Sequence, residues 1–329
     1  MLKSTFKANY VLTEDIYKAD AITHAGTQHA DDVMASAILC ILNEIRGNEE
    51  PLKIYRARDQ RELEGIGIDS DKNPIIFDIG FGEFDHHQKG GNGRRENGIP
   101  YASAGLLWKR FGLEICKAFG FEMPDLIDES IIQAIDARDN GVEIHTVAVI
   151  DGKEVPISPY TVSSVIAARN GVYAPVVAFS SAVAFAYTAL ATELTRQAEI
   201  WSTENRDMIL GAVENAENHI IVLEKYVPWK NWLHKLSKVY HDCSLIQAVI
   251  YPSARGGYQW MLVPKDPDSF ETKISTPKEI CGLDREALRK VFPDAVFIHP
   301  TGFSGANETL AGASQVANYI VNSNKEMTE

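Results

Sequence analysis

Cysteine is scarce in this 329-residue chain: Cys40, Cys116, Cys243 and Cys281 stand far apart, and none forms a Cys-x-x-Cys pair. That pattern offers neither a zinc knuckle nor a disulfide framework, so free thiols in a reducing cytoplasm are expected. Positive charge is also in deficit, with 32 Lys and Arg against 45 Asp and Glu and a formal net charge of −13. This argues against a protein that coats duplex DNA or an anionic membrane through a broad basic face. It leaves room for a short nucleic acid gripped locally, or for acidic side chains that hold cations. Low-complexity tracts are missing, and 45% hydrophobic against 23% charged residues is a globular balance. The opening MLKSTFKANY has no apolar core of the kind a signal peptide carries.

One long uncharged run exists, the 23 residues from Asn170 to Thr192. It is long enough to cross a bilayer. Ser180, Ser181, Thr188 and Pro175 interrupt its apolar character, and the charged continuation ELTRQAEIWSTENRDMIL prolongs the same helical pattern. A single soluble helix over about residues 175–212 is expected, with Pro175 in its first turn. Before it, strand-like runs (DAITHAG, LKIYRAR, NPIIFDIG) alternate with helix-like ones (DDVMASAILCILNEI, SAGLLWKRFG, SIIQAIDARDNG). Alternation of this kind means an α/β fold, a parallel sheet with flanking helices. After about residue 215 the strands HIIVLEKYV, SLIQAVIYPS, GYQWMLVP and AVFIHPTG dominate, a smaller α+β domain. The expected division is 1–212 and 213–329.

In parallel sheets chemistry collects at the carboxyl ends of strands, and three clusters fall there. His24-Ala-Gly-Thr-Gln-His29-Ala-Asp31-Asp32 places two histidines and carboxylates on a glycine turn entering a helix. One histidine alone would read as a packed structural residue; the set reads as a metal site. Asp78 ends the buried run Ile75-Ile76-Phe77, where it either caps a following helix or serves as a ligand. Asp85-His86-His87 suits a ligand, an orienting carboxylate and a phosphate donor, although the tripeptide alone is a weak signal. A fourth element, Asp136-Ala-Arg-Asp139, puts two carboxylates on one helical face, which also reads as a solvated helix end.

These motifs, in this order, resemble motifs one to four of the DHH phosphoesterase superfamily. Within it, THAGTQHADDVMA, YRARD, DHHQ, SAGLLWKRFG, AIDARDNG, PWKNWL and HPTGFSGANETLAGA resemble the melanocyte-proliferating-gene (Myg-type) family from residue 23 to about 313. The resemblance implies a DHH-type sheet domain, a connecting helix and a C-terminal DHH-associated domain. It also implies two divalent ions between the domains and phosphodiester hydrolysis, as in 3′→5′ exoribonucleases. His24, His29 and Asp78 would hold one ion; Asp31, Asp78, His86 and Asp136 would hold the other, with Asp139 competing for the last role. Asp85 would orient a histidine and His87 would face the phosphate. A mixed His/Asp set favours Mn²⁺, with Mg²⁺ and Zn²⁺ as alternatives. Most DHH enzymes carry Asp where His29 stands, so the first ion here gains a nitrogen ligand.

For the substrate grip, Lys89-Gly-Gly-Asn-Gly-Arg94-Arg95 is a glycine-rich basic loop that folds over a phosphate or remains solvated. His299-Pro-Thr-Gly302-Phe-Ser-Gly305-Ala-Asn307 reads as a strand end opening a helix whose amides bind anions. Arg56 and Arg58 either reach the site or pair with Asp59. Trp229 and Trp232 either pack in the core or stack on a base. The function expected is metal-dependent hydrolysis of a short single-stranded RNA or oligonucleotide. The alternatives are a small-molecule phosphoanhydride or phosphate-ester hydrolase and a non-catalytic ligand-binding member of the fold. Oligomerisation is left open.

Overall fold

Short β-rich runs separated by amphipathic helices assemble as the alternation predicts. The computed structural model describes residues 7–66, 74–267 and 269–326. Strands β1 (Tyr10–Leu12), β2 (Ala21–His24), β3 (Leu52–Ala57) and β4 (Ile75–Ile76) form a parallel sheet in the order β1-β3-β2-β4. Ala21, Ile22 and Thr23 have no exposed surface, as expected of a parallel strand covered on both faces. Helix α1 (Ala30–Ile45) follows β2 with Asp31 and Asp32 in its first turn, and the run Val33–Leu42 is buried. Helix α2 (Ser103–Phe119) stops at Gly120, whose φ of 97° lets its N–H return to the Cys116 carbonyl. Helix α3 (Pro124–Ile127) passes through a π-helical turn, Asp128–Ile132, into α4 (Gln133–Asp139). The hairpin β5 (Thr146–Ile150) and β6 (Lys153–Ile157) leads to α5 (Val162–Ala167) and α6 (Pro175–Ile200).

By length and composition, the stretch Pro175–Glu214 could cross a membrane. Phe179, Val183, Tyr187 and Leu190 of α6 are nonetheless buried, and the Tyr187 hydroxyl donates to Glu44 at the end of α1 (2.7 Å). The expected single helix is broken. Helix α7 (Thr203–Glu214) starts anew at Ser202, whose hydroxyl accepts the Asn205 N–H. A serine in extended conformation caps a helix better than it continues one. The two compact units divide between Ala198 and Glu199, ahead of the expected 212/213. The reason is packing: Ile209 and Val213 of α7 bury themselves with Trp229, Trp232 and Leu233.

In the second unit, β7 (Ile220–Val222), α8 (Trp229–Ser237), α9 (His241–Leu245), β8 (Ala248–Pro252), β9 (Tyr258–Leu262), α10 (Arg285–Val291), β10 (Ala295–Ile298), β11 (Ser304–Asn307) and α11 (Leu310–Glu326) follow in order. The sheet runs β10-β11-β9-β8-β7, with β7 parallel to β8 and the other pairs antiparallel. Trp229 and Trp232 are core residues, 1% and 7% exposed. The segment 299–307 corrects the sequence reading: it is a turn followed by β11, and the helix opens only at Leu310. Gly302 makes the turn with a φ of 77°. Gly305 lets β11 lie on the Trp260 indole, which a Cβ would approach to 2.4 Å.

Candidate metal centre

Among the described residues, the convergent ligands lie in the first unit, around the carboxyl ends of β2 and β4, the loop after β4 and the end of α4. His24 is the last residue of β2, and α1 begins with Asp31 and Asp32 after the Gly26 turn. Asp78 follows β4 in the left-handed region, with a φ of 56° that Asp tolerates better than most residues. Its N–H donates to the Phe84 carbonyl (3.1 Å), and the Ser103 hydroxyl at the start of α2 donates to its Oδ1 (3.0 Å). The strand thereby ends in a carboxylate fixed from both sides.

The side chains meet closely. His24 Nε2 lies 3.1 Å from Asp78 Oδ2 and 3.3 Å from Asp32 Oδ2. His86 Nδ1 lies 3.5 Å from Asp78 Oδ1 and 4.0 Å from Asp31 Oδ2, while its Nε2 is 2.8 Å from Asp139 Oδ2. His29 Nδ1 is 3.8 Å from Asp139 Oδ1. Among the described residues three ligand groups result, each with its atoms within 4.8 Å of one another: His24, His29 and Asp78; His29, Asp31 and Asp139; and Asp78, Asp85, His86 and His87. A cavity of about 370 Å³ opens beside them, lined by His24, His29, Asp78, Phe81, Asp85 and His87.

Asp85 differs from Asp31 and Asp32. Although it has no exposed surface, its Oδ2 accepts the Phe81 N–H (2.6 Å), and its Oδ1 accepts the His87 N–H (3.1 Å) and Nδ1–H (2.8 Å). Burial works against its charge, but these donors outweigh it and hold the carboxyl below the usual range. It orients His87 and organises the loop.

Asp31 is the opposite case. It has no exposed surface, and no N–H or hydroxyl donor reaches either carboxylate oxygen, while the Asp139 carboxyl is close enough to share a proton with it. Burial, then the neighbouring Asp78, Asp139 and Asp32 charges, pushes it well above the ordinary range. Asp32 is raised to about 7 by burial, despite the nearby His24. For His24 burial opposes the charged ring, yet the Asp78 bond and the Asp32 charge prevail and raise it to about 9. Asp32 Oδ2 and Asp78 Oδ2 are buried with the His24 ring as their close neighbour, and His86 Nδ1 is buried 3.5 Å from Asp78 Oδ1. Uncompensated buried carboxylates cost several kcal/mol each. Oxygen and imidazole donors converging on shared points fit divalent cations, whose bonds to such atoms are about 2.0–2.2 Å for zinc or magnesium.

The sequence candidates separate in the structure. His24, His29, Asp31, Asp78, Asp85, His86 and His87 come together. Asp136 does not join them. It is buried, raised to about 7 by burial against the Arg95 charge, and it accepts from Arg95 Nη2 (2.9 Å) and the Gly105 N–H (3.0 Å). Asp139, one helical turn on, reaches the cluster instead. Arg95 is 9% exposed and also donates to both oxygens of Asp128 (2.6 Å each), so it is committed to a buried ion-pair network rather than offered to solvent. Arg94 is exposed, with Nη1 on the Gly98 carbonyl (3.0 Å). In the second unit His299 Nδ1 meets Thr301 Oγ1 (2.8 Å), and buried Asn307 donates to Asp294 (3.0 Å). The missing side chain of Gly302 faces Thr276 and Cys281. Arg56 answers a question the sequence left open: its Nε donates to the His24 carbonyl (3.1 Å) and its Nη2 to that of Gly26 (3.2 Å). Sequence reasoning passed over Asp32 as a neighbour of His24, Ser103 as the anchor of Asp78, and Asn92. The serine carried no local signal, because a hydroxyl 25 residues from its partner is placed only by tertiary packing.

The family described as an uncharacterised protein family (UPF0160), MYG1_exonuc, matches residues 20–321. The MYG1 protein of Schizosaccharomyces pombe is 27% identical over 320 residues, covering 90% of this chain and 95% of its own. The MYG1 exonuclease of Homo sapiens is 28% identical over 331 residues, covering 90% and 84%, and the MYG1 protein of Dictyostelium discoideum is 28% identical over 324 residues, covering 90% and 94%. No solved structure gives a significant match. With both units spanned by a single match, this chain belongs to the MYG1_exonuc family.

Proposed function

We propose that this chain is a divalent-metal-dependent phosphodiester hydrolase of the DHH type, a 3′→5′ exonuclease acting on short single-stranded RNA or oligonucleotides. One observation carries the reading: imidazole nitrogens and carboxylate oxygens of His24, His29, Asp31, Asp78, Asp85, His86, His87 and Asp139 converge in three overlapping groups, each within 4.8 Å, and both buried oxygens of Asp31 lack a hydrogen-bond donor. Such buried groups are costly unless a cation, a proton or water answers them, and the mixed His/Asp donor set suits a cation. The relatives named MYG1 exonuclease support the direction of the chemistry.

His24, His29 and Asp78 would hold one ion; Asp31, Asp78, His86 and Asp139 would hold the other, Mn²⁺ being the preferred metal for this mixed donor set. Bound there, divalent ions acidify a water and neutralise the phosphoryl oxygens. The chain's own residues do the rest. An imidazolium at His87 would donate its Nδ1–H to Asp85 and its Nε2–H to a phosphoryl oxygen. Exposed Arg94 and Lys89 flank the same loop and supply local attraction in an acidic protein.

The test is a panel of labelled oligoribonucleotide, oligodeoxynucleotide, dinucleotide and pyrophosphate with added Mn²⁺, run beside Asp78→Ala. Stepwise shortening of the oligoribonucleotide, abolished by EDTA and by Asp78→Ala, is expected. Turnover of pyrophosphate alone would replace the nuclease with a small-molecule phosphohydrolase. Hydrolysis indifferent to both EDTA and Asp78→Ala would refute the metal mechanism.

A further inference from the structure

The segment 79–93 carries His86 and His87 but contains no helix and no regular strand. Two side chains of opposite polarity satisfy much of its backbone. Asp85 collects N–H groups, those of Phe81 and His87. Asn92 collects carbonyls: its Nδ2 lies 2.8 Å from Glu83 O, 2.9 Å from Asp85 O and 3.4 Å from Gly82 O. Asn92 reaches them because the chain doubles back around it. Gly90, Gly91 and Gly93 adopt φ values of 93°, 71° and 87°, a left-handed path that residues with a Cβ rarely follow. The glycines that read as a flexible phosphate wrap are therefore also the means of bringing one amide under the histidine loop.

We infer that Asn92 is a positioning residue that latches the glycine-rich basic loop onto the carbonyls of the Gly82–Asp85 turn and so fixes His86 and His87 toward their ion and phosphate. This rests on the reading above of those histidines. It has a consequence for substrate handling: Lys89 and Arg94 lie on the same loop, so a phosphate drawing on them pulls on the latch and through it on the histidines. Asp85 and Asn92 cannot exchange roles, since a carboxylate at position 92 would face carbonyl oxygens with nothing to donate.

Asn92→Asp tests this with little change in size. In the metal-free protein, amide exchange at Phe81 and His87 should quicken by about tenfold or more, as the loss of a few hydrogen bonds implies. Mn²⁺ affinity, followed by electron paramagnetic resonance, should fall by about 10–100-fold, the usual effect of losing an outer support. Asn92→Gln, which keeps the amide, should recover much of both, and Asn92→Ala should fall between Gln and Asp. Should Asn92→Asp fail to fold, Asn92→Ala carries the same two readouts. Exchange and Mn²⁺ affinity within twofold of wild type in a folded Asp or Ala variant would overturn the latch. If the wild-type protein binds no Mn²⁺, the metal reading fails, and the exchange measurement alone decides the role of Asn92.

Discussion

The Asp139 carboxylate lies 2.8 Å from His86 Nε2, while Asp136, three residues earlier on the same helix, closes on Arg95 at 2.9 Å. Neighbours on one helical face thus do separate work: the later acid faces the cluster, and the earlier one anchors the guanidinium and the start of α2. Asp139→Asn is expected to weaken Mn²⁺ binding by about 10–100-fold, beyond the loss of stability that its His86 contact supplies. Asp136→Asn should instead lower stability by about 1.5–3 kcal/mol, the scale of a hydrogen bond to a charged group. Metal titration beside urea unfolding separates the two. Loss of metal binding in Asp136→Asn with none in Asp139→Asn would reverse the assignment.

The acid cluster gives the metal-free protein an unusual pH dependence. His24 is held up to about 9, Asp32 and Asp136 sit at about 7, and Asp31 and His86 also lie above their ordinary values. A group whose pKa is raised on folding adds stability below its unfolded value and loses that contribution as the pH climbs through the folded value. Asp85 and Asp139, held low, act in the opposite sense but only at acid pH. Stability in EDTA should therefore decline from about pH 6 to about pH 9. Stabilisation by Mn²⁺ should grow over the same interval, because protons and metal compete for the same atoms. Urea midpoints at three pH values, with EDTA and with Mn²⁺, check both slopes; a metal-free protein that strengthens toward pH 9 would contradict them.

Two helix glycines make a matched pair. A Cβ on Gly105 would stand 1.7 Å from Asp136 Oδ2 and 2.7 Å from Arg95 Nη2, whereas one on Gly211 of α7 would meet nothing within 4 Å. Gly105→Ala is expected to cost about 1–3 kcal/mol through overpacking of that buried ion-pair network. Gly211→Ala should add about 0.4–1 kcal/mol by restricting the unfolded chain. Thermal unfolding of both variants supplies the comparison. Equal effects of the same sign would mean that the close approach at Gly105 is not maintained in solution.

Much of this architecture is legible in the chain itself, because strand ends and helix starts leave local marks. The turn after His24 and the carboxylate after Ile75-Ile76-Phe77 lie where apolar runs give way to polar or glycine residues, whereas the helix read as SAGLLWKRFG runs on past Gly112 to Phe119. What the sequence concealed depends on orientation. Asp136 and Asp139 share a helical face, and only the placement of Arg95, buried on Asp128 and Asp136, decides which of them is taken. The break at Ser202 was hidden because the charged stretch after it keeps helical periodicity. In 299–307 the glycines mimic an anion-binding helix start. Their actual setting, a turn and a strand lying on Trp260, arises from contacts distant in sequence.

Asp31 offers the most direct test that this cluster is built for cations, since both of its oxygens are buried with no N–H or hydroxyl donor. Asp31→Asn removes the charge and keeps the shape. Thermal unfolding of wild type and Asp31→Asn should be measured in EDTA and again in excess Mn²⁺. The variant should be the more stable protein in EDTA, because it relieves charge repulsion among Asp31, Asp78, Asp139 and Asp32. Wild type should overtake it in Mn²⁺, because only the carboxylate repays its burial when an ion is bound. A wild-type melting temperature unmoved by Mn²⁺, or an Asp31→Asn variant less stable than wild type in EDTA, would contradict the account.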